Sequence, residues 1–229
     1  MNIIKPTWPQ PSNIHAFTTL KNCNIEDLNL PNNKFLITQE HGINILSAQM
    51  DLPQPPIADG SYTINKNLVC LVKTADCLPI LITNIHGTFV AAIHAGWRGL
   101  ANGIINNFFM KIKPLNLITK DLLFWLGPAI GPLAFEVGKD VLDQFEDFNI
   151  NHPHKKLNLY NSAFITKNNL DKYLADIYQI AKINLYQCGI HHNQIFSENV
   201  CTYSREDLFY SYRRNPGCNN RMHSLIWIS

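Results

Sequence analysis

A thiol and an imidazole near the middle of the chain are the side chains best placed for chemistry. Cys77 stands in Thr74-Ala75-Asp76-Cys77-Leu78-Pro79, and His94 opens His94-Ala95-Gly96-Trp97-Arg98-Gly99. Between them, two short apolar, β-rich runs over 80–84 and 88–93 flank Ile85-His86-Gly87, whose glycine suits the turn of an antiparallel hairpin. With the turn centred between Ile85 and His86, facing residues sum to 171, which sets Cys77 opposite His94. Cross-strand partners hold their Cβ atoms about 5 Å apart. A thiolate and an imidazole at that distance could share one metal, with bonds of about 2.3 and 2.0 Å, or could act as nucleophile and base. A one-residue slip would send one of them to the other face of the sheet.

The turn after His94 leads into a helix expected over 100–112. Small residues followed by a helix N-terminus can bring backbone N–H groups to an anion, with Arg98 as the charged arm. The plainer reading is a turn with a surface Arg98 and a core Trp97. Asp59-Gly60 could steady a ligating imidazole or simply turn the chain. Phe209-Tyr210-Ser211-Tyr212-Arg213-Arg214 combines aromatic rings with two guanidinium groups, which suits stacking on a base and gripping an anion. An edge strand with solvated arginines is the alternative.

These residues need a scaffold, and the 229-residue chain is 46% hydrophobic and 16% charged, enough for a substantial core. No apolar run approaches the roughly 20 residues of a membrane span. The prolines of MNIIKPTWPQPSN replace the apolar core of a signal peptide, so a cytoplasmic protein is expected. A net charge of +2 is too small to argue for nucleic acid. Six Cys with no C-x-x-C read as reduced thiols, and Cys23, Cys70, Cys188, Cys201 and Cys218 as structural.

Strands are expected over 14–19, 35–38, 61–64, 122–126, around Ile195, and over 200–203, 208–212 and 224–228. Gly127 to Pro132 reads as a rigid loop. A helix over 138–148 buries Val141, Leu142 and Phe145, and a longer one over 169–187 starts from Asn168 as its cap and ends near Gly189. Strands and helices intermixed with a tight hairpin predict an α/β (α+β-like) fold of mixed sheets in a single domain, 1–229.

Four motifs in order carry a resemblance: those around Cys77 and His94, then Gly127-Pro128-Ala129-Ile130-Gly131-Pro132 with Phe135-Glu136-Val137-Gly138, and Ser211-Tyr212-Arg213-Arg214. Together they resemble the bacterial laccase-domain family, first labelled multicopper polyphenol oxidase and now described as zinc-dependent purine nucleoside phosphorylases with adenosine deaminase activity. The likeness runs from about Trp8 to the C-terminus. It implies layered mixed β-sheets flanked by helices, and a catalytic Zn(2+) held by His41, Cys77 and His94 with a fourth position open. It also implies substrate contacts from Asp76, Trp97, Arg98, Arg213 and Arg214. The implied reaction joins phosphate to adenosine, inosine, guanosine or S-methyl-5'-thioadenosine, releasing free base and ribose 1-phosphate, beside deamination of adenosine. Copper with polyphenol oxidation is an alternative, although His152-Pro153-His154 is the chain's single H-x-H. A Cys77/His94 hydrolase or amidase acting on cell-wall precursors is another. The implied partners are a purine nucleoside and phosphate, with no nucleic acid or membrane and the oligomeric state open. Leu20 stands where relatives carry an Arg, which implies one charged contact to phosphate fewer.

Overall fold

A computed structural model describes residues 2–9, 11–49, 53–150, 159–167 and 171–229. In chain order the strands begin with β1 (Ile3–Ile4), β2 (Ile14–Thr19), β3 (Asn33–Phe35), β4 (Ile45–Ser47), β5 (Gly60–Thr63), β6 (Leu68–Thr74), β7 (Leu78–Asn84) and β8 (Val90–Ala95). They continue as β9 (Leu122–Leu126), β10 (Glu136–Gly138), β11 (Phe164–Thr166), β12 (Lys172–Ala175), β13 (Ile195–Ser197) and β14 (Met222–Ile228). The helices are α1 (Trp97–Ala101), α2 (Ile104–Ile112), α3 (Lys139–Ile150) and α4 (Ile177–Gln187).

Among the described residues the strands form three sheets, two mixed, in the orders β13-β9-β7-β8-β5-β4 and β1-β2-β14-β6-β3, and one antiparallel, β10-β12-β11. Every residue of β7 and of β8 is buried. Such continuous apolar strands need cover on both faces. One face of the six-stranded sheet packs Ile80, Ile82, Phe124 and Leu126 against Leu100, Ile104, Phe108, Ile180 and Ala181 of the helices. Its other face, with Leu81, Ala92 and Trp125, packs against Cys70, Val72 and Ile226 of the five-stranded sheet. The outer side of that second sheet is covered by Ile25, Leu28 and Leu30. The expected mixed α/β fold is the one observed. Among the described residues no helix is long and apolar enough to cross a membrane.

The hairpin register differs from expectation. Facing residues sum to 173, so Pro79 rather than Cys77 lies opposite His94. The connection spans 85–89 because Asn84 closes it: its Oδ1 accepts from Thr88 N and its Nδ2 donates to Thr88 Oγ1. The longer loop moves the centre of the hairpin on by one residue, which is two residues of register. An even shift preserves the face on which each side chain lies. Cys77 and His94 therefore still converge, as diagonal neighbours.

Three other elements depart from expectation. The helix over 100–112 is broken into α1 and α2 at Asn102-Gly103, where Gly103 takes φ 86°. The helix expected from 169 begins only at Ile177, capped by Asp176, whose side chain accepts from Gln179 N. The preceding residues form β12, pairing with both β10 and β11; Asn168 and Leu170 lie outside the described residues, as do His152 and His154. The strands expected over 200–203 and 208–212 are irregular chain with one bridge, Ala129 to Cys201. Their backbone groups are satisfied by local turns, Arg205 N to Cys201 O and Phe209 N to Arg205 O among them, and by the Arg214 side chain instead of a ladder.

The Gly127–Pro132 loop is fixed from α4. Tyr178, 3% exposed, accepts from Ala129 N at 2.8 Å, and its hydroxyl lies 3.1 Å from the carbonyl oxygens of both Gly127 and Val200. Tyr178→Phe leaves these backbone groups buried without that partner, and should cost about 1–3 kcal/mol. The urea midpoint at constant m-value reports it, and an unchanged midpoint would show that the hydroxyl does not hold the loop.

Candidate metal centre and its cleft

Three chain segments deliver the donor atoms to one end of a cleft of about 660 Å³. His94 comes from the end of β8 and is 3% exposed. Cys77 precedes β7 directly, at a corner where Asp76 takes φ 87°. His41 lies in the loop after the Thr38–Ile57 bridge and itself takes φ 61°. Its Nε2 is 3.7 Å from Cys77 Sγ, its ring meets that of His94 edge to face at 4.7 Å, and all three donor atoms lie within 4.8 Å of one another. Gly96 makes room for this: a Cβ there would sit 3.0 Å from His41 Cδ2 and 3.2 Å from Cys77 Sγ.

Asp59 arranges the cluster. Its Oδ1 accepts from His94 Nδ1 at 2.7 Å and from His41 N at 2.9 Å, and its Oδ2 accepts from Gly42 N at 2.7 Å. Burial pushes the Asp59 carboxyl up, but the His94 contact and the backbone N–H groups outweigh it and hold the group below its usual range. Burial pushes His94 down, yet its hydrogen bonds to Asp59 and Cys77 raise it to about 9. Burial pushes the Cys77 thiol up, and the hydrogen bonds and charges of His41 and His94 overcome this and bring it to about 6. Both shifts favour a thiolate beside an imidazolium.

The donors fit a metal. A tetrahedral ion bonded at about 2.3 Å to sulfur and 2.0 Å to nitrogen separates those atoms by about 3.5 Å, close to the 3.7 Å between Cys77 and His41. A ligating imidazole normally gives its other nitrogen to a carboxylate, as His94 does to Asp59. A blue-copper centre adds a distant axial Met to two His and one Cys; no described Met lines this cleft.

Trp97, Arg98, Asp76 and Arg213 all lie on the cleft wall. Arg98 stacks 4.4 Å over the Trp97 ring. Arg213 donates to Glu136 O at 3.0 Å through both terminal nitrogens. Asp76 has its carboxylate occupied: Oδ1 accepts from Thr202 Oγ1 at 2.6 Å, and Oδ2 from Ser211 Oγ at 2.9 Å and Arg213 N at 2.7 Å. Arg214 is not on the wall; it clamps the carbonyls of Thr202, Tyr203 and Phe209. Of the aromatic run, Tyr212 lines the cleft while Phe209 is fully buried. Leu20 does not line it either, its N–H donating to Asn2 O. Lys73 and Arg221 do, and sequence reasoning passed over both. Lys73 directly precedes the Thr-Ala-Asp-Cys motif, which was the available signal.

Asp59→Asn keeps the size of the side chain and removes its charge and one acceptor oxygen. Loss of such a partner weakens metal binding about 10- to 100-fold, and competition with a chromogenic chelator should read that loss. Unchanged affinity would show that Asp59 does not orient His94.

The sequence matches the model of the family described as multi-copper polyphenol oxidoreductase laccase over residues 19–229. A Haemophilus influenzae protein named purine nucleoside phosphorylase is 36% identical over 256 aligned positions, which cover 99% of this chain and 99% of that protein. A Shigella flexneri protein named purine nucleoside phosphorylase YfiH is 42% identical over 202 positions, covering 87% of this chain and 76% of its own. The crystal structure of a Neisseria meningitidis protein superposes with a TM-score of 0.84 at 32% identity and covers both chains fully. That of YlmD from Geobacillus stearothermophilus, at 22% identity and a TM-score of 0.84 over 100% of this chain and 96% of its own, has the same fold. With its four motifs in order and nearly its whole length matched, the chain belongs to the multi-copper polyphenol oxidoreductase laccase family.

Proposed function

We propose that the chain is a zinc-dependent purine nucleoside phosphorylase that also deaminates adenosine. The observation that carries this reading is the His41–Cys77–His94 cluster opening onto a cleft of nucleoside size with apolar walls and basic side chains. Relatives named purine nucleoside phosphorylase support it. In phosphorolysis an oxygen of inorganic phosphate bonds to ribose C1′ as the C1′–N9 bond breaks. The electron pair leaves with the base, which takes up a proton to give free purine beside ribose 1-phosphate. Adenosine, inosine, guanosine and S-methyl-5'-thioadenosine are the proposed nucleosides. In deamination water replaces the C6 amino group of adenosine and ammonia leaves.

His41, Cys77 and His94 would hold the zinc, which supplies a Lewis acid and an acidified water when bound. The remaining work falls to the chain's own groups. Ile37, Ile130 and Phe135 offer apolar surface to the base and exclude water. The stacked Trp97–Arg98 pair places a guanidinium for phosphate oxygens. Asp59 keeps a proton on His94 Nδ1, which leaves Nε2 facing the cluster. The test is product analysis: zinc-loaded protein with inosine should release hypoxanthine and ribose 1-phosphate only when phosphate is present. With adenosine, ammonia should appear with or without phosphate. Release of no ribose 1-phosphate from any purine nucleoside would end the phosphorylase reading.

The low pKa of Cys77 favours one second reading, a Cys77/His94 hydrolase. Thiolate is the reactive form. In metal-free protein, alkylation of Cys77 by iodoacetamide should therefore rise through a midpoint near pH 6, its pKa being about 6, and fall away below it. Zinc should suppress the reaction across the whole range. Rapid alkylation of zinc-loaded protein, with a covalent adduct from a carbonyl substrate, would select the hydrolase.

A further inference from the structure

The His41, Cys77 and His94 triangle has three sides, and the fold ties each of them separately. Cys77 and His94 are joined by the β7–β8 ladder, through the pairing of Leu78 with Ala95 and of Pro79 with His94. His41 and His94 are joined by Asp59, whose Oδ1 accepts from His94 Nδ1 and from His41 N. The third pair, His41 and Cys77, comes from segments that part early. β3 runs beside β6 only as far as Phe35, opposite Cys70, and the chain then turns away so that Thr38 bonds to the backbone of Pro56 and Ala58.

The Gln39 side chain spans that gap. Its Oε1 accepts from Lys73 N at 2.7 Å and its Nε2 donates to Lys73 O at 2.8 Å. A backbone N–H can only donate and a carbonyl can only accept, so these two bonds also fix which way the carboxamide faces. On its other edge Lys73 pairs with His223 of β14. The carboxamide therefore stands where a peptide group of β3 would lie had that strand continued. Apart from the 3.7 Å contact between the ligands themselves, these are the hydrogen bonds that join 36–42 to 71–77 among the described residues. Gln39 lies two residues before His41, and Lys73 four before Cys77.

This placement matters because His41 is the ligand with least support of its own. It is the exposed member of the cluster, it sits in a loop, and its backbone takes φ 61°. A residue in so sparsely populated a conformation persists only where its surroundings over-determine it. Asp59 holds the N–H groups of 40–42 from one side, and the Gln39 clip holds the same loop from the other.

We propose that Gln39 is a positioning residue for the metal centre: it fastens the His41 loop to β6 and so sets His41 against Cys77 before a metal arrives. The inference rests on the metal-binding part of the reading above and not on the reaction. Gln39→Met keeps the length of the side chain and removes both bonds. It should weaken zinc binding about tenfold in chelator competition, the lower end of the loss when a group supporting a ligand is removed. Cobalt(II) in place of zinc reports which ligand is affected. The thiolate-to-cobalt charge-transfer band should persist, because the hairpin still joins Cys77 to His94, while the visible d–d bands shift as water replaces His41.

Unchanged zinc affinity and an unchanged cobalt spectrum overturn the proposal, even if the urea midpoint of the metal-free protein falls, since Gln39 would then only finish the edge of a sheet. If Gln39→Met does not fold, Gln39→Glu decides. It keeps the acceptor for Lys73 N, sets a second acceptor against Lys73 O, and should lower the affinity in the same way. Wild-type protein that binds neither zinc nor cobalt would remove the metal centre and this proposal with it. Protein whose zinc affinity depends on Gln39 yet releases no ribose 1-phosphate would keep the positioning role and lose the phosphorylase reading.

Discussion

The structure depends on one buried carboxylate. Asp59, 1% exposed, stands at the head of β5 and accepts from the backbone of the His41 loop and from the ring of His94. A buried charge of this kind is tolerable only when its lone pairs are used, and here they are used by the two segments that must meet. The same residue's backbone carbonyl accepts from His94 N at 2.7 Å, so both the main chain and the side chain of Asp59 fix that histidine. The strained φ of His41 persists because Asp59 holds the N–H groups around it.

Asp76 repeats this logic on the other side of the cluster. It too takes a positive φ, immediately before Cys77, and its carbonyl accepts from Ile130 N at 2.9 Å. Its carboxylate gathers Thr202, Ser211 and the backbone of Arg213, which explains why the segments around 202 and 211 need no strand ladder to be ordered. Two carboxylates beside the ligands thus act on the backbone around the centre, and the donor atoms are left to the thiol and the imidazoles.

That division shapes the electrostatics of the cleft. With Asp76 engaged inward, the wall facing the open space carries Lys73, Arg98, Arg213 and Arg221. A mouth lined by one sign of charge concentrates ligands of the other sign. The apolar walls beside it raise the strength of each such contact by excluding water. The neighbouring helices are built to hold this end still: Asn184 of α4 donates to Leu100 O of α1 and accepts from Tyr160, so the helix bearing Trp97 and Arg98 is braced from behind.

The sequence by itself singled out His41, Cys77 and His94, the three side chains that the fold brings together, along with the apolar strands beside two of them and the glycines at their turns. Those are local properties: an alternating or continuous apolar run and a residue tolerant of positive φ act within a few positions. Its four motifs also determined the family. Tertiary structure alone decided the register of the β7–β8 hairpin, because the Asn84 bonds to Thr88 lengthen the loop and only the packed sheet fixes the count. It decided that 172–175 joins a sheet, since pairing with β10 and β11 outweighs the helical spacing read across those residues. It also decided which charges face the cleft. Arg213 and Arg214 are adjacent in sequence, yet one lies on the wall and the other clamps its own loop, and Lys73 and Arg221 join the wall from strand ends. The partners that make these choices lie far along the chain, as Asp76 and Arg213 do at a separation of 137 residues. No local pattern encodes a hydrogen bond across that distance; it exists only once the sheets have packed.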